Sequence, residues 1–331
     1  MLRILITGGS GFIGCRLAQV AAGADREITV ASAINSDSER HRCELLTKAG
    51  IDVHVADLLD PAALEKIASN QDAIIHLAAA QHEAEASEMH FRRVNVDGTR
   101  NLLHAAVKAG VKRFVHGSTI GVYGSAARRG VVDETSPLAP DNPYGRSKAE
   151  AEMVVRQFAG QLEVSIARIS ETYGPGDMRL LKLFRAIASN RYITLGTGKN
   201  IHQLIYVDDL AQGLLAAVSA PAAVNATCIL ASAETLTTDE MVSAIASAFG
   251  HARKPPHLPL WPFDIAAFVM EKTLSPLGMR PPLHRRRLDF FRKSFRFSTE
   301  RAAQLLGFET KVKFTDGARL TAQWYRENGA L

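Results

Sequence analysis

The chain has 331 residues, 47% of them hydrophobic and 22% charged, which predicts one large or two modest globular domains with a buried core. No apolar run reaches the ~18 residues that a membrane span requires, and the N-terminal pattern does not fit a signal peptide. Cys15, Cys43 and Cys228 are scattered without CxxC or metal-ligand spacing, which favours a reducing, cytoplasmic location and no metal site.

The net charge of +5 is concentrated near the C-terminus. Residues 280–296 contain seven Lys or Arg and one acid, so this segment carries +6 and the remainder of the chain −1. We favour a solvated helix face, while an anionic substrate, contact with a membrane surface and nucleic acid are the functional alternatives. Because no nucleic-acid motif accompanies the segment, we expect no nucleic-acid partner.

The first apolar run, residues 2–6, leads into a glycine-rich loop and then a helix-like stretch. The loop reads Thr7-Gly8-Gly9-Ser10-Gly11-Phe12-Ile13-Gly14. This strand–turn–helix context is what a dinucleotide fingerprint requires, although the spacing is GxxGxxG rather than GxGxxG. Gly8 permits the tight turn, Gly11 lets backbone N–H groups approach a pyrophosphate, and Gly14 lets the helix pack closely on the strand.

Strand-like and helix-like stretches then alternate through the first half of the chain. The pattern predicts a doubly wound parallel sheet of the Rossmann type, with ligands bound beyond the carboxyl ends of the strands. The second half is punctuated by proline and predicts a smaller substrate-binding lobe. We therefore predict a nucleotide-binding domain over residues 1–170 and the lobe over 171–331, with a segment near 201–230 returning to the first domain.

Tyr144 and Lys148 are four residues apart in a predicted helix and so share one face. A neighbouring cation favours the phenolate and lowers a pKa that is about 10 in free tyrosine. The pair therefore predicts proton transfer near neutral pH beside the bound dinucleotide.

These motifs together resemble those of the extended short-chain dehydrogenase/reductases, which include the NAD-dependent epimerases and dehydratases. Further matching pieces occur in the family's order along nearly the whole chain. They are Asp57-Leu58, His76-Leu77-Ala78-Ala79, Asn95-Val96-Asp97-Gly98-Thr99, residues 117–124, Tyr173-Gly174-Pro175-Gly176-Asp177 and residues 206–210. The resemblance implies hydride transfer between NAD or NADP and a secondary alcohol or carbonyl, and a homodimer formed through helices that flank the sheet.

The resemblance also assigns catalytic roles. Tyr144 is the acid/base, Lys148 holds the nicotinamide ribose, and Thr119, with Ser118 beside it, donates a hydrogen bond to the substrate oxygen. Asn95 corresponds to an asparagine that supports this set. Two structural alternatives remain open: Asn95 caps the following helix, or Ser118 and Thr119 satisfy backbone groups at a strand end.

The remaining positions that the resemblance implicates belong to the cofactor site. Asp57 accepts from the adenine amino group, and Leu58, Leu77, Ala78 and Ala79 line the groove. Ser32 stands where NAD enzymes usually have Asp or Glu for the ribose hydroxyls. Because Arg40, His41 and Arg42 follow and suit a 2′-phosphate, we favour NADP over NAD, although Asp37 keeps NAD open.

Two departures from the family pattern concern the substrate. Glu171 and His202 stand where nucleotide-sugar enzymes have Asn and Arg, so a carboxylate and a weak cation replace diphosphate ligands. The apolar stretch 255–283 resembles the 3β-hydroxysteroid dehydrogenase and dihydroflavonol reductase branch, although it also fits the core of the small lobe.

We therefore predict an oxidoreductase acting on a secondary alcohol or ketone of a hydrophobic small molecule. The alternatives are a nucleotide-sugar 4-epimerase or dehydratase and, in another class, a non-catalytic NADP-sensing regulator. Peripheral membrane contact through the apolar stretch and the basic segment also remains open. His76, His82 and His116 lack metal-ligand spacing and are predicted to serve packing.

Overall fold

The computed structural model of the chain describes residues 1–81, 87–124, 127, 130–251, 255–274, 279, 283 and 285–331, without the side chains of 285–287. His82, Arg280 and much of the apolar stretch beyond residue 274 lie outside the described residues. The strands are β1 (Leu2–Thr7), β2 (Arg26–Ser32), β3 (Asp52–Val55), β4 (Ala73–His76), β5 (Arg113–Thr119), β6 (Val131–Val132), β7 (Glu163–Ile169), β8 (Thr172–Tyr173), β9 (Thr194–Leu195), β10 (Ile201–His202), β11 (Ile205–Tyr206), β12 (Thr227–Leu230), β13 (Leu236–Thr237), β14 (His257–Leu258) and β15 (Arg296–Phe297).

Helices alternate with the longer strands through the first half of the chain and continue through the second half. They are α1 (Phe12–Ala21), α2 (Asp37–Lys48), α3 (Pro61–Ala68), α4 (Glu88–Arg92), α5 (Gly98–Lys108), α6 (Pro143–Gln157), α7 (Leu181–Ala188), α8 (Val207–Ser219), α9 (Thr238–Ala248), α10 (Trp261–Leu274), α11 (Arg285–Arg292), α12 (Glu300–Leu306) and α13 (Phe314–Glu327). A π-helical turn, Arg93–Asp97, connects α4 to α5. In the part of the chain that the structure describes, no helix is long and apolar enough to cross a membrane.

Seven of the described strands form one parallel sheet in the order β12-β7-β5-β4-β1-β2-β3. The chain builds the sheet outward from β1 to β3, returns to the other side of β1 with β4, and continues from there to β12. The predicted doubly wound Rossmann-type fold is confirmed. Thr7 at the end of β1 pairs with His76 at the end of β4, so the direction of winding reverses between these two strands, where such sheets bind ligands.

Alternate residues of the strands supply cores on both faces of the sheet. On one face, Ile6, Ile75 and Val115 pack with apolar residues of α1 and α8. On the other face, Ile74 and Phe114 pack with residues of α3, α5 and α6. The inner strands β1, β2 and β4 therefore read as almost continuous apolar runs because they are covered on both sides, whereas the edge strand β3 is partly exposed.

The chain divides into two compact units. The first unit comprises Met1–Thr172, Ile205–Ala233 and Phe297–Lys311, and contains the parallel sheet. The second comprises Tyr173–Leu204, Glu234–Arg296 and Val312–Leu331. In the first unit, the returning helix α8 is joined to α1 by a bidentate ion pair between Asp208 and Arg16, with N–O distances of 2.5 and 2.9 Å.

Candidate active site

The glycine loop after β1 is compressed against its surroundings. Gly8 has a φ of +73°, and a Cβ at this position would lie 2.6 Å from the backbone nitrogen of Ala78. A Cβ on Gly14 would lie 2.3 Å from the carbonyl oxygen of Gly8. Helix α1 begins directly after Gly11, which has no side chain to cap it, and its first turn contains no acid. The N-terminus of α1 therefore suits an anion such as a pyrophosphate, and these residues fit a dinucleotide.

The end of β2 is tied to this loop by side chains. The buried Ser32 hydroxyl accepts a hydrogen bond from the backbone N–H of Ser10 at 2.8 Å. Nε of Arg42, in α2, donates to the carbonyl oxygen of Ser10 at 2.5 Å. The guanidinium of Arg42 therefore lies against the glycine loop. Ser32, at the position where NAD enzymes usually have Asp or Glu, is hydrogen-bonded to the same loop.

The ends of β3 and β4 carry the other predicted cofactor residues. Asp57 is exposed, and its Oδ1 accepts from the backbone N–H of Leu59 at 2.9 Å. Leu58 is buried against Gly98, where a Cβ would lie 2.8 Å from the Cβ of Leu58. Leu77, Ala78 and Ala79 follow β4 and are partly buried.

Tyr144 and Lys148 both lie on α6, one turn apart. Asn142 caps this helix by accepting from the backbone N–H of Gly145 at 2.9 Å. Tyr144 is partly buried, whereas Lys148 is 1% exposed. Burial lowers the pKa of Lys148 to about 8, against the opposing charge of Glu152. This side chain therefore exchanges its proton much closer to neutral pH than an ordinary lysine.

The adjacent hydroxyls of Ser118 and Thr119 have different partners. Ser118 is buried and donates to Oε1 of Glu152 at 2.6 Å. Arg168 binds the same carboxylate at 2.8 and 3.0 Å, so Ser118 belongs to an internal ionic network. Thr119 is partly exposed at the end of β5, and its oxygen accepts from the N–H of Gly121 at 3.0 Å. The hydroxyl hydrogen of Thr119 can therefore donate to another group.

Asn95 lies inside the π-helical turn and connects two segments of the site. Its amide oxygen accepts from the N–H of Ala80 at 2.8 Å, while Nδ2 donates to the carbonyl of Ala80 at 3.0 Å and to the Ser147 hydroxyl at 2.9 Å. Ser147 in turn donates to the carbonyl of Tyr144 at 2.8 Å. Asn95 therefore does not cap the following helix, and it holds the segment after β4 to the first turn of α6.

Two buried histidines lie on the face of the sheet that α6 covers. His76 forms hydrogen bonds with Thr7 at 2.7 Å and Thr99 at 2.9 Å. Burial and the charge of Lys148 lower the pKa of His76 to about 3 and that of His116 well below its ordinary value. Both rings are therefore neutral at physiological pH. Among the described residues, no three or more His, Cys, Asp or Glu side chains are grouped as metal ligands would be.

Glu171 and His202 belong to different units. Glu171, in the first unit, has an exposed side chain, and its carbonyl accepts from the N–H of Ile205 at 2.9 Å. His202, in the second unit, is buried, and its Nε2 lies 2.9 Å from the Thr238 hydroxyl and 3.1 Å from the Asn200 amide nitrogen. Burial lowers the pKa of His202 to about 4, so the ring is neutral near pH 7. This corrects the expectation of a weak cation.

The sequence analysis missed Thr7, Thr99, Ser147, Glu152 and Arg168 as parts of this polar framework. Glu152 carried a local signal, because it lies one helical turn after Lys148 on the same face. The other four gave no comparable signal, since each is joined to this framework by a side chain at least 16 residues away in the sequence.

Comparison with known proteins agrees with the family that the sequence motifs resemble. Residues 4–229 match the model of the NAD dependent epimerase/dehydratase family. The chain is 28% identical over 346 residues to a dTDP-glucose 4,6-dehydratase of Streptomyces niveus, covering 99% of this chain and 94% of that protein. It is 28% identical over 282 residues to a UDP-glucose 4-epimerase of Vibrio cholerae, covering 82% and 83%.

A solved structure resembles the chain over almost its whole length. It is the dTDP-glucose 4,6-dehydratase of Streptomyces venezuelae with NAD and TYD bound, at 27% identity and a TM-score of 0.76, covering 99% of this chain and 98% of that one. With the glycine loop and the Tyr144–Lys148 pair in place, the chain belongs to the NAD dependent epimerase/dehydratase family and is an enzyme of the extended short-chain dehydrogenase/reductase type.

Proposed function

We propose that the protein is an NAD-dependent epimerase that acts on a sugar carried by a nucleoside diphosphate. The relatives named above act on nucleotide-linked sugars, so they favour this alternative over the hydrophobic ketone that the sequence analysis preferred. The apolar residues of α10 that suggested a hydrophobic ligand include several that are exposed to solvent. This exposure removes part of the reason for expecting a hydrophobic substrate.

The observation that carries the proposal is the placement of Lys148. It is buried on α6, one turn after Tyr144, and the hydrogen-bond chain through Ser147 and Asn95 fixes the backbone of this turn. In the proposed mechanism, Tyr144 takes the proton of the substrate hydroxyl, and the charge of Lys148 stabilises the phenolate from which Tyr144 starts. Thr119 donates a hydrogen bond to the substrate oxygen and holds it during the transfer.

NAD, when bound, supplies the acceptor for the hydride that leaves the carbinol carbon. The glycine loop and the N-terminus of α1 would hold its pyrophosphate. If the hydride were given back to the opposite face of the carbonyl carbon, Tyr144 would return its proton to the oxygen and regain its starting state, and the net reaction would invert one carbon.

Epimerisation fits these residues better than dehydration. Elimination of water requires a further base to remove a proton from carbon and an acid to protonate the departing hydroxyl. The segment 117–124, which includes Thr119 at the end of β5, offers neither, because it contains no carboxyl group. Glu152, which is near this segment, is buried and bound by Ser118 and Arg168. A reaction that uses a single acid/base is therefore the better match.

The experiment is to incubate the protein and NAD with UDP- and dTDP-hexoses and to follow the sugar by NMR. We expect interconversion at one carbon without accumulation of NADH. Tyr144→Phe should lower the rate by about 10²–10⁴-fold. The matched control is Tyr192→Phe, since the Tyr192 hydroxyl has no hydrogen-bond partner among the described residues.

Other outcomes contradict the proposal in distinguishable ways. A deoxy-keto sugar as the product identifies a dehydratase. Turnover of hydroxysteroid- or flavonoid-like ketones, with no binding of UDP or dTDP by calorimetry, supports the hydrophobic substrate instead. Normal sugar turnover by Tyr144→Phe removes the role proposed for the tyrosine.

A further inference from the structure

Helix α10 exposes a stripe of large apolar side chains. Trp261, Ile265, Phe268 and Val269 are 66%, 56%, 48% and 48% exposed. Their spacing places them within one arc of the helix, while Ala267 on the opposite side is fully buried. Apolar side chains that are neighbours on a helix and all face water mark an interaction surface rather than scattered exposure.

Positive charge accompanies this stripe. Lys272 is exposed in the same arc of α10. Helix α11 packs against α10, and Arg292 of α11 forms an ion pair with Asp264 of α10. The sequence of α11 begins with three arginines, and from residue 261 to 296 there are eight Lys or Arg against three acids. The two acids of α10, Asp264 and Glu271, lie outside the apolar arc by their helical positions.

We propose that α10 and α11 form a docking surface for an anionic lipid membrane. An apolar stripe that contains tryptophan and phenylalanine, accompanied by Lys and Arg, is the pattern of a helix that lies in the membrane interface. The apolar side chains enter the boundary between headgroups and acyl chains, and the exposed Lys272 together with the net positive charge of residues 261–296 attracts the phosphates of anionic lipids. The inference does not depend on the substrate proposed above.

Charge complementarity favours an anionic membrane over a second copy of the chain as the partner of this surface. A second copy of the chain docked on the same face would bring two basic segments together, and the like charges would oppose association. The homodimer predicted from the sequence uses helices that flank the sheet, whereas α10 lies in the second unit. An anionic membrane satisfies the apolar stripe and the cations together.

Trp261 offers a direct reporter of insertion. The chain has two tryptophans, Trp261 and Trp324, so Trp324→Phe leaves Trp261 as the sole indole. The protein is mixed with vesicles of phosphatidylcholine plus phosphatidylglycerol, or of phosphatidylcholine alone, and binding is measured by sedimentation. With the mixed vesicles we expect co-sedimentation and a shift of Trp261 emission to shorter wavelength, both weakened by salt.

The test variant is Ile265→Glu combined with Phe268→Glu. Because both side chains are exposed, the fold should be retained, which circular dichroism checks. We expect the partition coefficient on mixed vesicles to fall about tenfold or more. The matched control, Val55→Glu combined with Met153→Glu, changes two exposed apolar residues of the first unit and should leave binding unchanged.

Three results would overturn the inference. The first is equal or absent binding to the two kinds of vesicle. The second is sedimentation with mixed vesicles that the test variant does not reduce. The third is a concentration-dependent dimer that the test variant abolishes in the absence of vesicle binding, which would identify a second copy of the chain as the occupant.

Discussion

At the residue scale, the burial of Lys148 shows how a role proposed for catalysis opposes stability. The lysine is 1% exposed, and its pKa is about 8 in the folded protein against an ordinary value of 10.5. Between these two pH values the unfolded chain binds more protons than the folded chain, so the free energy of unfolding rises with pH across this window. Below pH 8 the full cost of burying the charged ammonium is present.

We therefore predict that Lys148→Met stabilises the protein near neutral pH while abolishing activity. The expected gain in the free energy of unfolding is of the order of 3 kcal/mol at pH 7, and it should disappear as the pH rises through about 10.5. Denaturant unfolding at pH 7 and at high pH measures it. The control is Lys182→Met, an exposed lysine of α7, which should change little. A stability difference that grows with pH would reverse the sign of the argument.

At the element scale, two neighbouring residues at the end of β5 have different environments, a structural one for Ser118 and a proposed catalytic one for Thr119. Strand alternation directs Ser118 toward the face that α6 covers, where Glu152 accepts its hydrogen bond. Thr119 follows at the strand terminus and remains partly exposed. One β-strand thereby contributes to an internal ionic network and to the proposed active site with consecutive residues.

This difference predicts that substitution of one residue mainly lowers stability and substitution of the other mainly lowers kcat. Ser118→Ala should lower the free energy of unfolding by about 1.5–3 kcal/mol, because a hydrogen bond to a buried carboxylate is lost. Thr119→Val should lower kcat by about 10²–10³-fold with a smaller change in stability, because the donor to the substrate oxygen is lost. Thr119→Ser should restore most of the rate. Equal effects of the two substitutions on kcat would contradict the assignment of separate roles.

At the scale of the whole molecule, a cofactor bound at the glycine loop is expected to stabilise the first unit as a ligand of the native state. A ligand at a hundred times its Kd adds about 2.7 kcal/mol to the free energy of unfolding. The solved dehydratase of Streptomyces venezuelae contains NAD, whereas the preference for NADP drawn from the sequence remains a prediction. The position of Arg42 against the glycine loop is the feature on which that preference depends.

The preference is tested by thermal unfolding in NAD and in NADP. If Arg42 binds a 2′-phosphate, NADP should stabilise the protein at lower concentration than NAD. Arg42→Gln should then weaken NADP by about tenfold while leaving NAD unchanged. Lys48→Gln, at the C-terminal end of α2, is the control. Tighter binding of NAD than of NADP by the unchanged protein would show that Arg42 stabilises the glycine loop and does not bind a 2′-phosphate.

Local patterns in the sequence were sufficient to predict the Rossmann-type fold, and the resemblance of the motifs to those of a known family predicted the family. The turn at Gly8 requires a positive φ, the alternation of apolar runs identifies parallel strands covered on both faces, and the four-residue spacing of Tyr144 and Lys148 places them on one helix. These signals are contained in short segments and in the order of those segments along the chain, so no knowledge of the packing was needed. The roles assigned to Tyr144, Lys148 and Thr119 remain predictions.

The tertiary structure decided which distant groups meet and which side chains remain in water. Strand register brings Thr7 beside His76, and helix packing brings Ser118 and Arg168 to Glu152. Burial makes His202 neutral, although its sequence position suggested a cation. The apolar residues of α10 fitted a ligand site or a core equally well in the sequence, and the structure exposes Trp261, Ile265, Phe268 and Val269 instead. Burial and polar pairing depend on contacts between distant residues, and a linear sequence specifies these only through the complete fold.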